Sequence, residues 1–303
     1  MSLVTARRFL DLRALAALSR LRFAPRHRIE GSYSGKHQSH AQGGAGEFVD
    51  YREYVAGEDL RRLDWKVLAR TGRAYVRLHQ EETNLVCTLV LDASASMRFG
   101  DAPGAHGKGT KLEYVQFLAS ALCHLIGRQQ DQAGLAVVAD GLTEFLPPGG
   151  TPSHVARLLD AIEGLETAPV TRLGKGLRDL YERLSQRGVL VVMSDFLVDD
   201  LDDVFGAVRS FRHRQFEVIL LQIIHPDEER LPEGTAYRFV GLENDGSVDA
   251  SPREIRQLYQ ERFEAHVAAV RLMALSTGCD HRRISTALSY LQTLGKFLVE
   301  RLG

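Results

Sequence analysis

Three continuous apolar runs of β-forming residues constrain the fold of this chain more than any other feature. They span residues 85–91, 189–193 and 218–224. A strand that is apolar at every position is buried on both faces, as parallel strands covered by helices are. Helical apolar patterns lie between these runs, at residues 112–126, 172–184 and 201–211. We therefore predict an α/β fold with a doubly wound, mostly parallel sheet.

The first 84 residues differ in character from the rest and predict an N-terminal α+β extension. Residues 9–21 have the pattern of an amphipathic helix, and the polar, glycine-rich residues 31–46 predict an irregular loop. Residues 47–70 are dense in charged and aromatic side chains, and residues 74–82 alternate as a strand does. We predict a division into residues 1–84, the extension, and residues 85–303, the α/β domain.

Charge and cysteine content bear on partners and location. The chain has 38 Lys and Arg against 39 Asp and Glu, so nucleic-acid binding by the whole surface is not expected. Eight basic and two acidic side chains lie among the first 36 residues, which leaves nucleic-acid or membrane-surface binding there as an alternative. Three cysteines without a C-x-x-C pair favour a reducing cytoplasm. With no apolar run of roughly 18 residues, we predict a cytoplasmic protein without a transmembrane segment.

Polar side chains that could hold a metal ion follow the predicted strands. Asp92, Ser94 and Ser96 come directly after the first apolar run, and Asp195 follows the second. Thr171 precedes the helix predicted at 172–184. Parallel strands end at one edge of the sheet, so we expect these two carboxylates and three hydroxyls to converge. Such hard oxygen donors suit Mg²⁺ or Mn²⁺, whereas the alternative is that they only cap helices.

This set, in this order, resembles the metal-ion-dependent adhesion site of von Willebrand factor A domains. The resemblance covers roughly residue 85 to the C-terminus. It implies that the hydroxyls touch the metal, that the carboxylates act mostly through waters, and that a partner's acidic side chain fills an open position. Phe196 stands where adhesion-type members often have glycine, and Ala93 and Ala95 stand where many relatives carry other small residues.

The segment before the first apolar run narrows the resemblance. It is similar to the signature of a bacterial family catalogued as of unknown function, in the residues Gly46-Glu47-Phe48, Asp50-Tyr51-Arg52-Glu53-Tyr54, Gly57-Glu58-Asp59, Arg61, Asp64-Trp65-Lys66 and Ala69-Arg70. Members carry a von Willebrand A-like domain and are typically encoded beside MoxR-type AAA+ ATPases. The resemblance implies a non-enzymatic, metal-dependent interaction module that assists such an ATPase in assembling or maturing client proteins. The ATPase or its client would supply the acidic residue.

An enzymatic alternative is a Mg²⁺-dependent phosphohydrolase with Asp92 as nucleophile. Aspartyl-phosphate chemistry in similar sheets normally uses a second aspartate two residues later, and that position is Ser94 here. Ser94 also lacks the G-x-S-x-G elbow of serine hydrolases. We therefore predict that the protein is not an enzyme.

Overall fold

The chain forms two compact units in the computed structural model. The model describes residues 7–18, 20–25, 34–39, 47–55, 63–83, 85–100, 109–231, 233–234, 236–243 and 246–302. The larger unit comprises Met1–Arg26 and Val86–Gly303, and the smaller unit comprises His27–Leu85. The break before Val86 lies beside the expected boundary after residue 84, whereas the first 26 residues group with the larger unit.

The smaller unit contains an antiparallel sheet and a helix. The first helix of the chain, α1 (Leu12–Ala16), belongs to the larger unit. The elements of the smaller unit are β1 (Ser34–Ser39), β2 (Glu47–Glu53), α2 (Trp65–Thr71) and β3 (Tyr75–Thr83). The strand order is β1-β3-β2, with β3 antiparallel to both neighbours. The prediction of an irregular loop over residues 31–46 is wrong for residues 34–39, which form β1. This strand has no apolar pattern and is held by backbone pairing with β3. The other residues of the predicted loop lie outside the described part of the chain.

The aspartate and tryptophan of the charged, aromatic segment begin α2. The Asp64 carboxylate accepts hydrogen bonds from the backbone N–H groups of Lys66 at 2.9 Å and Val67 at 3.2 Å. This is the arrangement of a helix N-cap, and it satisfies two donors of the first turn. Trp65, the first helical residue, is 59% exposed. The D-W-K sequence at residues 64–66 therefore encodes a helix start.

The larger unit continues with a central sheet and helices on both of its faces. Its further elements are β4 (Val86–Asp92), a 3₁₀ turn (Ala95–Arg98), α3 (Lys111–Arg128), β5 (Gln132–Ala139), β6 (Gly141–Gly149), α4 (Pro152–Glu163), α5 (Leu173–Arg183), β7 (Val189–Ser194), α6 (Leu201–His213), β8 (Glu217–Ile224), α7 (Pro226–Glu229), β9 (Tyr237–Val240), β10 (Ser247–Ala250), α8 (Pro252–Ser276), β11 (Asp280–Ser285) and α9 (Tyr290–Leu302). Strands β9 and β10 form a separate antiparallel hairpin.

The central sheet confirms the predicted fold class. Its strand order is β11-β8-β7-β4-β5-β6, and every neighbouring pair is parallel except β5 and β6. The chain enters at β4, extends the sheet to one side through β5 and β6, and then returns to place β7 on the other side of β4. The strand order therefore reverses between β4 and β7, and doubly wound sheets bind ligands beyond the carboxyl ends of strands at such a switch point.

The apolar core explains why the strand runs contain almost no polar residue. Strands β4, β7 and β8 are buried along their whole length. One core cluster packs side chains of these strands, such as Val90 and Val192, against Leu177 of α5, Phe205 of α6 and Val270 of α8. Helix α3 packs against both α4 and α9, which forms a second helical group. Successive side chains of a strand point to opposite faces of the sheet, so they pack against the helices on one face and on the other in turn.

The N-terminal segment packs against the larger unit through three apolar anchors. Phe9, Leu15 and Phe23 are at most 4% exposed. The Phe9 ring meets Phe117 of α3 edge-on at 5.1 Å between centroids, and the Phe23 ring stacks on Phe297 of α9 at 6.1 Å. The spacing of these anchors is not helical, so within the described residues the predicted helix 9–21 is reduced to α1.

Two of the N-terminal basic side chains pair with acids of the larger unit. Arg7 lies 2.8 Å from the Asp160 carboxylate, and Arg8 lies 2.5 Å from Glu113. Since these pairs offset part of the local positive charge, the structure does not favour a nucleic-acid or membrane-surface role for this segment. In the described parts of the chain, no helix combines the length and apolarity that crossing a bilayer requires.

Candidate functional site

The candidate site lies at the switch point, where β4 and β7 end side by side. Asp92 is the last residue of β4, and Ser194 is the last residue of β7. The Ser194 hydroxyl donates a hydrogen bond of 2.5 Å to Asp92 Oδ2, which joins the two strand ends. Asp195 follows directly, so the sheet brings both predicted carboxylates to the same edge.

The loop after β4 gathers two of the predicted hydroxyls around Asp92. Asp92 Oδ1 accepts a hydrogen bond of 2.9 Å from the backbone N–H of Ser94, and the Ser94 and Ser96 hydroxyl oxygens lie 2.9 Å apart. Ser94 occupies the cap position of the 3₁₀ turn, but its side chain makes no capping hydrogen bond. The capping alternative therefore does not account for this serine.

The backbone turns sharply after Asp195, and a buried aromatic ring anchors the turn. Phe196 has a φ of 58°, a left-handed conformation in which glycine carries the smallest penalty. Its side chain is fully buried in the core cluster, and its N–H donates to the Ser194 hydroxyl at 2.9 Å. Asp195 Oδ1 accepts a further hydrogen bond of 3.0 Å from the backbone of Leu197. Core packing thus holds the Asp195 loop in place despite the backbone penalty.

A lysine that the sequence analysis missed contacts Asp195. The Lys111 ammonium donates to Asp195 Oδ2 at 2.7 Å and also to the Glu228 carboxylate, and the Lys111 side chain is fully buried. Burial alone would lower the pKa of Lys111, but the adjacent Asp195 and Glu228 carboxylates hold that pKa above its ordinary value. Burial raises the pKa of Glu228 despite this lysine. Lys111 is therefore a charged group inside the site.

Asp92 is buried without a compensating cation. It is 1% exposed, and no ion pair involves it within the described residues. Burial, together with the neighbouring charge of Asp195, raises the pKa of Asp92 to about 6, although hydrogen bonds from Ser194 and Ser94 oppose the shift. The carboxylate form of Asp92 is therefore electrostatically unfavourable until a cation approaches it.

Thr171, the fifth predicted residue, is engaged elsewhere. Its hydroxyl donates a hydrogen bond of 2.7 Å to Glu243, in the loop that links β9 and β10. The cap position of α5 is Arg172, which makes no side-chain capping bond, so Thr171 is not the N-cap of this helix. Among the described residues, no hydrogen bond links Thr171 to Asp92, Ser94, Ser96 or Asp195. Hydrogen bonds join Asp92, Ser94 and Ser96, and the charge of Asp195 acts on Asp92, whereas Thr171 bonds to Glu243.

The donors around Asp92 have the chemistry that a hard divalent cation requires. Adjacent ligands of octahedral Mg²⁺, with bonds of 2.0–2.1 Å at right angles, lie about 2.9 Å apart. The Ser94 and Ser96 oxygens have this separation, which is also the length of the hydrogen bond between the two hydroxyls. Within the described residues, no group of three or more His, Cys, Asp or Glu side chains is arranged to hold a metal ion. A metal here would depend on the two hydroxyls and Asp92.

The phosphohydrolase alternative is not favoured by the geometry of Asp92. A nucleophilic carboxylate needs an accessible oxygen, whereas Asp92 is almost fully buried. Both of its oxygens already accept hydrogen bonds, from the backbone of Ser94 and the hydroxyl of Ser194. The site is arranged to hold this carboxylate still.

Other residues at the site also escaped sequence reasoning. Ser194 supports Asp92 from the neighbouring strand, and only the register between β4 and β7 reveals this. His266 of α8 lies near the Asp195 loop and interacts with the Phe196 backbone, and burial lowers the pKa of His266. The sequence does offer one indication for Lys111. A lysine in the first turn of a helix interacts unfavourably with the helix dipole, which predicts an acidic side chain nearby.

Comparison with known protein families places most of the chain in one of them. The model of a family described as "Protein of unknown function DUF58" matches residues 50–269. Uncharacterized proteins of Mycobacterium tuberculosis and Mycobacterium bovis are 26% identical over 299 residues, covering 96% of this chain and 90% of theirs. These relatives align along nearly the whole chain, including both units.

Several solved structures are similar to the larger part of the chain. An aerotolerance-related membrane protein from Bacteroides fragilis is 16% identical, with a TM-score of 0.48 and coverage of 72% of this chain and 100% of that one. The conserved hypothetical protein BatB from Bacteroides thetaiotaomicron is 15% identical, with a TM-score of 0.47 and coverage of 72% and 99%. The SpRpn10 VWA domain is 15% identical, with a TM-score of 0.39 and coverage of 70% and 94%.

The prediction of a cytoplasmic location is corrected by this comparison. The Bacteroides fragilis structure is described as a membrane protein, and a Vibrio fischeri structure that also matches is described as membrane spanning. The predicted location rests on the lack of a long apolar run and on Cys87, Cys123 and Cys279, which are free and buried. Their state reflects packing and thiol chemistry, and it carries no information on membrane association.

Proposed function

We propose that this chain, which belongs to the family of unknown function DUF58, is a non-enzymatic, metal-dependent protein-interaction module. It would work with a MoxR-type AAA+ ATPase in the assembly or maturation of client proteins. The observation that carries this proposal is the cluster of Asp92, Ser94 and Ser96 at the switch point. It offers two hydroxyls beside a buried carboxylate that has no ion-pair partner among the described residues.

The residues of the site would divide the work of holding the ion. Ser94, Ser96 and Asp92 would hold Mg²⁺ or Mn²⁺, and Asp195 would add negative charge while remaining bound to Lys111. The Thr171 hydroxyl donates its proton to Glu243, so its lone pairs would remain free to bind the ion. The bound ion would supply an open coordination position for an acidic side chain. Ser194 and Phe196 keep both strand ends in position for that contact.

The proposed partner supplies a carboxylate. An ion held by few protein oxygens and one nearby charge retains net positive charge, which attracts an aspartate or glutamate. The resemblance of this chain to proteins encoded beside MoxR-type ATPases supports the ATPase, or a client bound to it, as the source. Asp92, the carboxylate considered as a nucleophile, is almost fully buried, which supports binding rather than catalysis.

Substitution of Ser96 tests the interaction. With the purified MoxR-type ATPase from the same organism, we expect Ser96→Ala to weaken binding at least tenfold at constant Mg²⁺, since it removes a metal ligand without adding charge. Chelation is unsuitable here because the ATPase itself needs Mg²⁺ for its nucleotide. Affinity is measured by biolayer interferometry, and the melting temperature is measured on the same samples.

Ser276→Ala is the matched control, since Ser276 is an exposed serine at the end of α8. It is expected to leave both affinity and melting temperature unchanged. Equal affinity of wild type and Ser96→Ala would contradict the proposed function.

The ion is expected to stabilise the fold only modestly. Hydrogen bonds to Asp92 and the Lys111 ion pairs hold the site without it. At ten times its dissociation constant, Mg²⁺ is expected to add about 1.4 kcal/mol to the free energy of unfolding. Urea denaturation with Mg²⁺ and with EDTA measures the difference. Complete unfolding in EDTA would show that the ion is structural instead.

A further inference from the structure

The position of Lys111 is unfavourable for a cation in two respects. Lys111 is the first residue of α3, where the helix dipole presents partial positive charge, and its side chain is completely removed from water. A buried ammonium persists only when carboxylates surround it. Asp195 and Glu228 both contact it, so the fold has arranged two acids to keep this charge inside the site.

Glu228 is fixed for this purpose by its own contacts. It lies in α7, where its second carboxylate oxygen accepts a hydrogen bond of 2.8 Å from the backbone N–H of His225. The Tyr259 hydroxyl donates to the Glu228 backbone carbonyl at 2.7 Å, which ties α8 to the same turn. Since Asp195 is held from its other oxygen by Leu197, both partners of Lys111 are rigid. The ammonium is therefore a permanent part of the site.

The net charge of the site determines how the Lys111 ammonium affects the binding of a divalent ion. Asp92, Asp195 and Glu228 together bring three negative charges when ionised, and Lys111 reduces the net charge to −2. A divalent ion brings the sum to zero. Lys111 also repels that ion, because both cations interact with Asp195. Without Lys111 the cluster would attract the ion more strongly, but the ion-free site would hold three uncompensated acids.

We propose that Lys111 is a built-in cation that weakens the hold of the site on its divalent ion and keeps the ion-free site folded. This inference rests on the proposed metal site and adds a residue that sets its affinity. Lys111 favours exchange of the ion over permanent retention. A purely structural lysine would act in the opposite direction, because its loss would disorder the site and loosen the ion.

Mn²⁺ binding to the full-length purified chain provides the test, with free Mn²⁺ measured by electron paramagnetic resonance. Lys111→Met removes the charge at similar length, and we expect it to tighten Mn²⁺ binding at least tenfold. Glu228→Gln removes an acid, and we expect it to weaken binding at least tenfold. The double variant restores the net charge of −2, and its affinity is expected within about threefold of wild type. Lys296→Met, at an exposed lysine of α9, is the control and should change nothing.

The melting temperature in EDTA provides the second measurement. Lys111→Met is expected to melt earlier than wild type because it leaves Asp195 and Glu228 without a cation, and the double variant is expected to recover part of the loss. If Lys111→Met does not fold, the double variant is compared with Glu228→Gln: the two differ only at residue 111, and the double variant is expected to bind Mn²⁺ more tightly, whereas equal or weaker binding would contradict the role of Lys111.

The possible outcomes separate this inference from the proposed function. Mn²⁺ binding by wild type with no tightening in Lys111→Met, or no weakening in Glu228→Gln, overturns the role of Lys111 and leaves the metal site intact. Binding by Lys111→Met alone supports the role of Lys111 and overturns the metal dependence proposed for wild type. Absence of binding in all variants overturns both.

Discussion

Replacing Asp92 with asparagine is expected to stabilise the metal-free protein by about 3 kcal/mol near pH 8 while it removes metal binding. The reason is the burial of this carboxylate beside Asp195, which raises the pKa of Asp92 to about 6. Ionised Asp92 therefore opposes folding at that pH. The asparagine oxygen can still accept from the Ser94 backbone, and the Ser194 hydroxyl can accept from the new amide.

The pH dependence gives this expectation a definite sign. The pKa of Asp92 is raised from 3.8 to about 6 in the folded protein, so the folded state binds the proton more tightly than the unfolded state. The stabilising effect of that proton is fully present below about pH 4 and is lost as the pH rises through about 6. The advantage of Asp92→Asn over wild type should therefore be absent at pH 4 and grow to its full value by about pH 8.

Urea denaturation in EDTA at a series of pH values measures this difference. Asp200→Asn is the control, since Asp200 is the N-cap of α6 and asparagine caps equally well. Its unfolding free energy is expected to stay within about 0.5 kcal/mol of wild type. If the wild type is more stable than Asp92→Asn at pH 8 without metal, ionised Asp92 does not destabilise the fold as expected.

The second large effect is expected at Phe196, where side-chain burial and backbone conformation act in opposite directions. Phe196→Ala removes a fully buried ring and is expected to lower the free energy of unfolding by about 3–5 kcal/mol. Phe196→Gly removes the same ring but releases the left-handed backbone penalty at a φ of 58°. We expect glycine to be more stable than alanine at this position by about 1 kcal/mol.

Phe205 provides a matched comparison within the same core cluster. It is also fully buried but lies inside α6, with helical backbone on both sides. Here the order should reverse, with alanine more stable than glycine by about 1 kcal/mol. Urea denaturation of the four variants gives both differences. If alanine is more stable than glycine at both positions, the left-handed turn does not carry the assigned penalty.

Patterns of single side chains were enough to predict the sheet of the larger unit. The apolar runs at 85–91, 189–193 and 218–224 correspond to β4, β7 and β8, because a strand buried on both faces needs apolar residues at nearly every position. The placement of Asp92 and Asp195 at neighbouring strand ends also followed, since parallel strands in such a sheet end at one edge.

Features that depend on contacts between distant segments could not be predicted in the same way. β1 is held by its pairing with β3, and its own residues carry no strand pattern. Lys111 reaches Asp195 across 84 residues of sequence and Glu228 across 117, and no local spacing encodes either contact. Thr171 bonds to Glu243 for a similar reason, since that loop follows β9 much later in the chain.

The attachment of the N-terminal segment to α9 has a consequence for the order of events during synthesis. Arg301 donates to the backbone carbonyl of Ala24 across 277 residues, and Phe23 stacks on Phe297 beside it. Residues 7–25 therefore leave the ribosome long before their packing surface exists. At about 5–20 residues per second, the intervening chain takes roughly 15–55 s to make. Until α9 is made, Phe23 cannot form its contact with Phe297, so we expect this part of the fold to be completed last.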